Sequence, residues 1–125
     1  MANPVFIKAM NAEAVIAAFR IVKIGAADGG VIQGAAAADV LLGVSDELGQ
    51  ATAADRVDVI LTGIADVLYG GTVARGARLT SDATGRAVAA APVAGVNNGI
   101  IGIALVSGVL GDVGSVLIAP SVLQG

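Results

Sequence analysis

The sequence has no cysteine and no histidine. Disulfides and thiolate metal sites are thereby excluded, and the commonest general base and zinc ligand are missing as well. Aromatic residues are reduced to Phe6, Phe19 and Tyr69, and there are three prolines. Charge is scarce too: 14% of the 125 residues are ionised, against about 25% in an average domain. The net charge of −3 and a pI near 4.5 argue against direct nucleic-acid binding, because such binding neutralises phosphates with Lys and Arg. What remains is 56% hydrophobic, ample apolar surface to offset chain entropy, so the chain is not a disordered one. So few charges cannot coat a monomer of this size. Other copies, a partner or lipid are expected to cover much of the apolar surface.

Ala, Val, Ile, Leu and Gly dominate, with 18 glycines. Each glycine costs a helix interior about 1 kcal/mol relative to Ala, so short strands joined by Gly/Asp/Asn turns fit better. No residue from 87 to 111 is charged, which raises a spanning helix as one reading. Pro92, Asn97, Asn98 and glycines at 95, 99, 102, 108 and 111 divide that stretch into strand-length pieces. No Lys/Arg cluster flanks it. The N-terminus does not read as a signal peptide, since Arg20 and Lys23 interrupt its short apolar run. The default compartment is cytoplasmic.

The pattern predicts an extended N-terminal arm over residues 1–11 followed by a mainly β domain over 12–125. Alternation from Val15 to Ile24 predicts a first strand, with a turn at Asp28-Gly29-Gly30 and a return over Val31-Ile32-Gln33. Further strands are expected over 40–45, 56–61, 64–69, 79–80, 86–88, 100–106 and 115–119, with a turn at Thr62-Gly63. Alanine leaves short helices at 35–39 and 46–54 open as alternatives. Two halves, about 14–69 and 70–120, align in order. Residues 20–24 match 75–79, Leu41-Leu42-Gly43-Val44 matches Ile100-Ile101-Gly102-Ile103, and 55–61 matches 112–118. A duplicated strand–turn–strand–strand unit would make a β-sandwich or small β-barrel of short antiparallel strands. Chance self-similarity of a Val/Gly-rich β protein is the competing reading.

No catalytic arrangement stands out. Asp46-Glu47 and Asp55/Asp58 could form an oxygen-ligand cation site, but their spacing fits no such loop, and solvated turn and edge residues are the simpler account. Gly29-Gly30 and Gly70-Gly71 lack the residues of a phosphate loop. The serines have no histidine to activate them, and Lys8 and Lys23 lie in no recognisable nucleophile motif. The chain is read as a non-enzyme without cofactor or metal. Two groups are candidates for contact with a partner or another subunit. Arg75, Arg78 and Arg86 form the one local basic cluster, read otherwise as a solvated hairpin face. Val5, Phe6 and Ile7 could add a strand to a neighbour's sheet edge, or simply fray.

The segment Gly71-Thr-Val-Ala-Arg-Gly-Ala-Arg-Leu-Thr-Ser-Asp-Ala-Thr-Gly-Arg-Ala-Val-Ala-Ala90 resembles tailed-bacteriophage head decoration (cement) proteins. So does the close of the chain, Gly99-Ile-Ile-Gly-Ile-Ala-Leu, then Gly111-Asp-Val-Gly-Ser-Val-Leu-Ile118. The likeness covers roughly the last 60 residues well and the first half loosely, through turn and strand grammar rather than catalytic signatures. It implies a homotrimer on the exterior of a phage capsid, made in the host cytoplasm, that clamps neighbouring major capsid protein subunits. The N-terminal arm would share in that contact, and no nucleic acid or membrane would be a partner. A non-viral β-domain binding module and a small membrane protein stay as alternatives.

Overall fold

A computed structural model describes residues 2–46 and 56–125, and the described residues contain strands and turns but no helix. Among the described residues nine strands follow one another: β1 (Asn3–Ala12), β2 (Ile21–Ile24), β3 (Gly30–Gln33), β4 (Leu41–Ser45), β5 (Arg56–Leu68), β6 (Arg78–Ser81), β7 (Ala87–Ala89), β8 (Asn97–Ala104) and β9 (Val113–Gln124). They belong to one sheet in the order β1-β3-β2-β4-β5-β9-β8-β6-β7. Pairing also returns from β5 to β1, so the first five strands close into a small ring. The remaining strands close on the end of β5 through a bridge between Tyr69 and Ala87. This is the mainly β, single-domain architecture that composition and turn chemistry predict, with small rings as its form.

The two rings repeat one pairing scheme. Asn11 opposite Arg56 becomes Leu68 opposite Val113, and Ile7 opposite Ile60 becomes Ile64 opposite Leu117, every residue advanced by 57. The parallel contact of Ala12 with Val31 returns as that of Tyr69 with Ala87. β5 therefore serves twice, its first half closing ring one and its second half opening ring two. The interiors match as well. Ala12, Ile16, Val22 and Val59, buried together in ring one, reappear 57 positions on as Tyr69, Val73, Leu79 and Val116. Gly43 and Gly102 hold equivalent places in β4 and β8. A side-chain carbon on either would strike the carbonyl opposite, of Ile60 in one case and Leu117 in the other. Only glycine lets the strands approach so closely.

Several expectations shift in detail. The strand anticipated from Val15 begins only at Ile21, because Phe19 takes a left-handed backbone (φ 59°) and turns the chain. The pieces 56–61 and 64–69 are one continuous strand. Gly63 twists it at φ 96° rather than reversing it, since Pro4 and Ile118 pair with Gly63 on its two edges. Residues 35–39 form a turn in which the Asp39 carboxylate accepts from the Ala35 and Ala36 amides, both at 2.9 Å. Of the other helix alternative, residues 47–54 lie outside the described residues. The N-terminal segment is extended, and as β1 it is paired along β5 rather than projecting. The uncharged stretch 87–111 makes β7, a turn closed by Val96 N–H to the Val93 carbonyl, and β8 with the loop after it. No described helix is long and apolar enough to cross a membrane.

Candidate interaction surface

The polar side chains act mainly as clamps on turns. Glu13 follows β1 and accepts from the Ala26 and Ala27 amides at 2.8 and 3.0 Å, fixing the tip of the β2–β3 hairpin. These amide bonds hold its carboxyl below the usual range. Asp82 does the same for the β6–β7 hairpin, taking the Thr84 and Arg86 amides at 2.9 Å and Arg86 Nε at 2.8 Å. Burial pushes its carboxyl up, but the two amides and the guanidinium outweigh it and the result is a lowered pKa. Asp39 is lowered likewise, against its burial, by the Ala35 and Ala36 amides and by Lys23 Nζ at 3.2 Å. Charge here is spent on holding the chain's own loops.

A cleft of about 250 Å³ is lined by Pro4, Ile7, Phe19, Ser45, Asp46, Ile60 and Asp66 among others. Ser45 Oγ already donates to the Ala17 carbonyl and accepts from the Arg20 amide. Among the described residues no three acidic side chains come together as a metal would need. Of the cation candidates, Glu47 and Asp55 lie outside the described residues. Asp46 and Asp58 meet through backbone, Asp46 N–H donating to the Asp58 carbonyl at 3.3 Å.

The six contact candidates divide between the rings. Val5, Phe6 and Ile7 lie on β1, all three well exposed, where bulges interrupt its pairing with β5. Along residues 3–10 the described pairings of β1 use one edge, that facing β5. Arg75 lies exposed in the turn before β6 and Arg78 exposed at its first residue. Arg86 is engaged within its own hairpin through Asp82. The cluster is thus two outward arginines and one structural one.

Sequence reasoning missed the larger surface feature. Ile103 on β8, Leu105, Val106, Val109 and Leu110 in the following loop, and Val113 and Leu117 on β9 are all exposed. Ile103 and Leu117 are directly paired across the ladder. Apolar residues in the loop 105–112, beside Gly108 and Gly111 where turn chemistry calls for polar ones, were the available signal. Solvent-facing apolar clusters of this kind mark places where another surface sits.

Comparison with known proteins gives a likeness of structure rather than of sequence. No family model matches the sequence, and no curated protein does. Among solved structures, the N base of head fiber gp8.5 from bacteriophage phi29 superposes with a TM-score of 0.67. The match covers 96% of this chain and 98% of that one at 17% identity. At that identity the two share a fold.

Proposed function

We propose that this chain is a structural protein of a tailed-phage virion, a self-associating β-domain on the outside of the head that braces major-capsid subunits. The single observation that carries the reading is the near-complete superposition on the base of a phage head fiber. The turn grammar of residues 71–90 and 99–118, with its likeness to capsid decoration proteins, supports it independently. So does the apolar surface formed by β8, β9 and the loop between them, which one chain leaves open. In this reading the chain is a homotrimer and not an enzyme, needs no cofactor, and meets capsid or its own copies through surfaces that include Val5, Phe6, Ile7, Arg75 and Arg78.

Co-sedimentation with purified expanded heads tests it. The protein is expected to pellet with heads at saturating stoichiometry and to raise their disruption temperature; protein left wholly in the supernatant overturns the proposal. The fiber-base neighbour favours a second reading, an attachment base that binds heads without bracing them. Saturable binding with no change in the disruption temperature selects that one.

A further inference from the structure

Ring two packs against ring one along a defined face. On ring one the face presents Ile21, Val44 and Ile60, with 0%, 0% and 6% of their surface exposed. All three join the core cluster that also contains ring two's Val67, Tyr69 and Leu79. Ring two meets this face with the end of β6, the β6–β7 hairpin and the start of β8. The Ile21 amide donates to the Gly85 carbonyl at 2.7 Å, and the Gly99 amide donates to the Ala37 carbonyl at 2.7 Å. A side chain on Gly34 would run into Ser81 Oγ, and one on Gly99 into the Asp39 carbonyl. Ser81, Gly85 and Gly99 are buried there.

The pairing scheme identifies the counterparts of both faces elsewhere in the chain. In ring two, the places of Ile21, Val44 and Ile60 are held by Arg78, Ile103 and Leu117, since Ile21 opposite Val44 repeats as Arg78 opposite Ile103. Likewise Val44 opposite Ile60 repeats as Ile103 opposite Leu117. These three are exposed, Ile103 at 37% and Leu117 at 40%. In ring one, the places of Ser81, Gly85 and Gly99 are held by Ile24, Gly29 and Val40. These are exposed too, Ile24 at 54% and Val40 at 67%. Gly29 and Gly85 share the same left-handed backbone, φ 75° and 76°. Each chain therefore carries an unfilled socket on ring two and an unused plug on ring one, with apolar side chains on both.

We propose that ring one of a second copy docks onto ring two of the first as ring two docks onto ring one within a chain. The proposal rests on the self-association part of the function above and is independent of any capsid. Charge supports the fit. Asp28 at the plug tip holds the place of Thr84, whose carbonyl accepts from Arg20 Nη1 at 2.8 Å within the chain. On the socket side Arg78 lies one residue beyond Ala77, the counterpart of Arg20, so a carboxylate meets a guanidinium across the contact. A contact between two different faces is head-to-tail and generates a ring or a filament, not a two-fold dimer.

Two variants of the full chain test it, Val40→Asp on the plug and Leu117→Asp on the socket, each checked for native circular dichroism. Both positions face solvent, so folding tolerates the change. Analytical ultracentrifugation should find wild-type chain self-associating and each variant monomeric, its dissociation constant raised at least ~100-fold by a buried, unpaired carboxylate. An equimolar mixture of the two variants should give a one-to-one dimer and nothing larger, because only one intact plug and one intact socket remain. Assembly by either variant alone, or a mixture that stays monomeric, overturns the contact while leaving self-association intact. A wild-type chain that stays monomeric overturns both, and head binding is judged separately by co-sedimentation.

Discussion

Tyr69 and Gly114 stand 57 positions after Ala12 and Val57, and the two pairs exchange bulk. In ring one a small residue faces a valine; in ring two a tyrosine ring fills the space, and a side-chain carbon on Gly114 would enter that ring. Gly114→Val should therefore destabilise the protein by about 3 kcal/mol through overpacking. Adding Tyr69→Ala, which restores the small-plus-valine composition of ring one, should cost less than the two single changes summed, by about 1–3 kcal/mol. Urea denaturation of the four chains of that cycle measures the coupling. The Tyr69 hydroxyl donates to the Val106 carbonyl at 2.8 Å, and burial, then the nearby Asp112 charge, raise its pKa above 10.0. A raised pKa in the folded state means stability that is whole below pH 10 and lost as pH climbs through the folded value. Tyr69→Phe should lose about 1 kcal/mol at neutral pH and remove that alkaline loss, read from denaturation midpoints between pH 8 and pH 11. Phe19, the one non-glycine residue described with positive φ, sits where ring two has Gly76 at φ 89°. Open space surrounds Gly76, so Gly76→Ala should cost about 1 kcal/mol from backbone conformation alone.

Among the elements, hairpins are held by carboxylates rather than by burial alone. Glu13, Asp39 and Asp82 all titrate below their ordinary values of 4.5, 3.8 and 3.8. Carboxyls depressed by folding stabilise the native state above those values and cease to do so as pH falls through the folded ones. Stability should thus decline from about pH 4.5 downward, and Asp82→Asn should flatten the curve while costing about 1–2 kcal/mol at pH 7. Urea midpoints between pH 2 and pH 7 give both readings. The strands themselves were largely legible, because β-branched runs between Gly/Asp turns leave little choice. Register was less so. Matching residues 20–24 to 75–79 pairs Ile24 with Leu79, whereas the ladders equate Val22 with Leu79. A slip of two keeps every side chain on its own face, so alternation cannot detect it. The join at Thr62-Gly63 was misread for a related reason. A glycine at positive φ marks a turn in most contexts, and only pairing partners on both flanks reveal a twist within one strand.

For the whole molecule, sharing β5 ties the two rings into one cooperative body. A single unfolding transition is expected, with calorimetric and van't Hoff enthalpies equal and Gly114→Val lowering the midpoint seen by every probe. The sequence carried the excess of apolar surface but not its location. Val5, Phe6, Ile7 and the arginines were visible as unusual local clusters. Ile103 and Leu117 look like ordinary core residues until the ladders set them beside Val44 and Ile60. The same shared strand has a mechanical consequence. β1 and β9 both run antiparallel to β5, Asn3 lying opposite Ile64 and Val113 opposite Leu68. Tension between the two termini along the strand axis therefore drags β1 and β9 in opposite senses along β5. That geometry shears both ladders, stretching their hydrogen bonds all together instead of unzipping them one at a time.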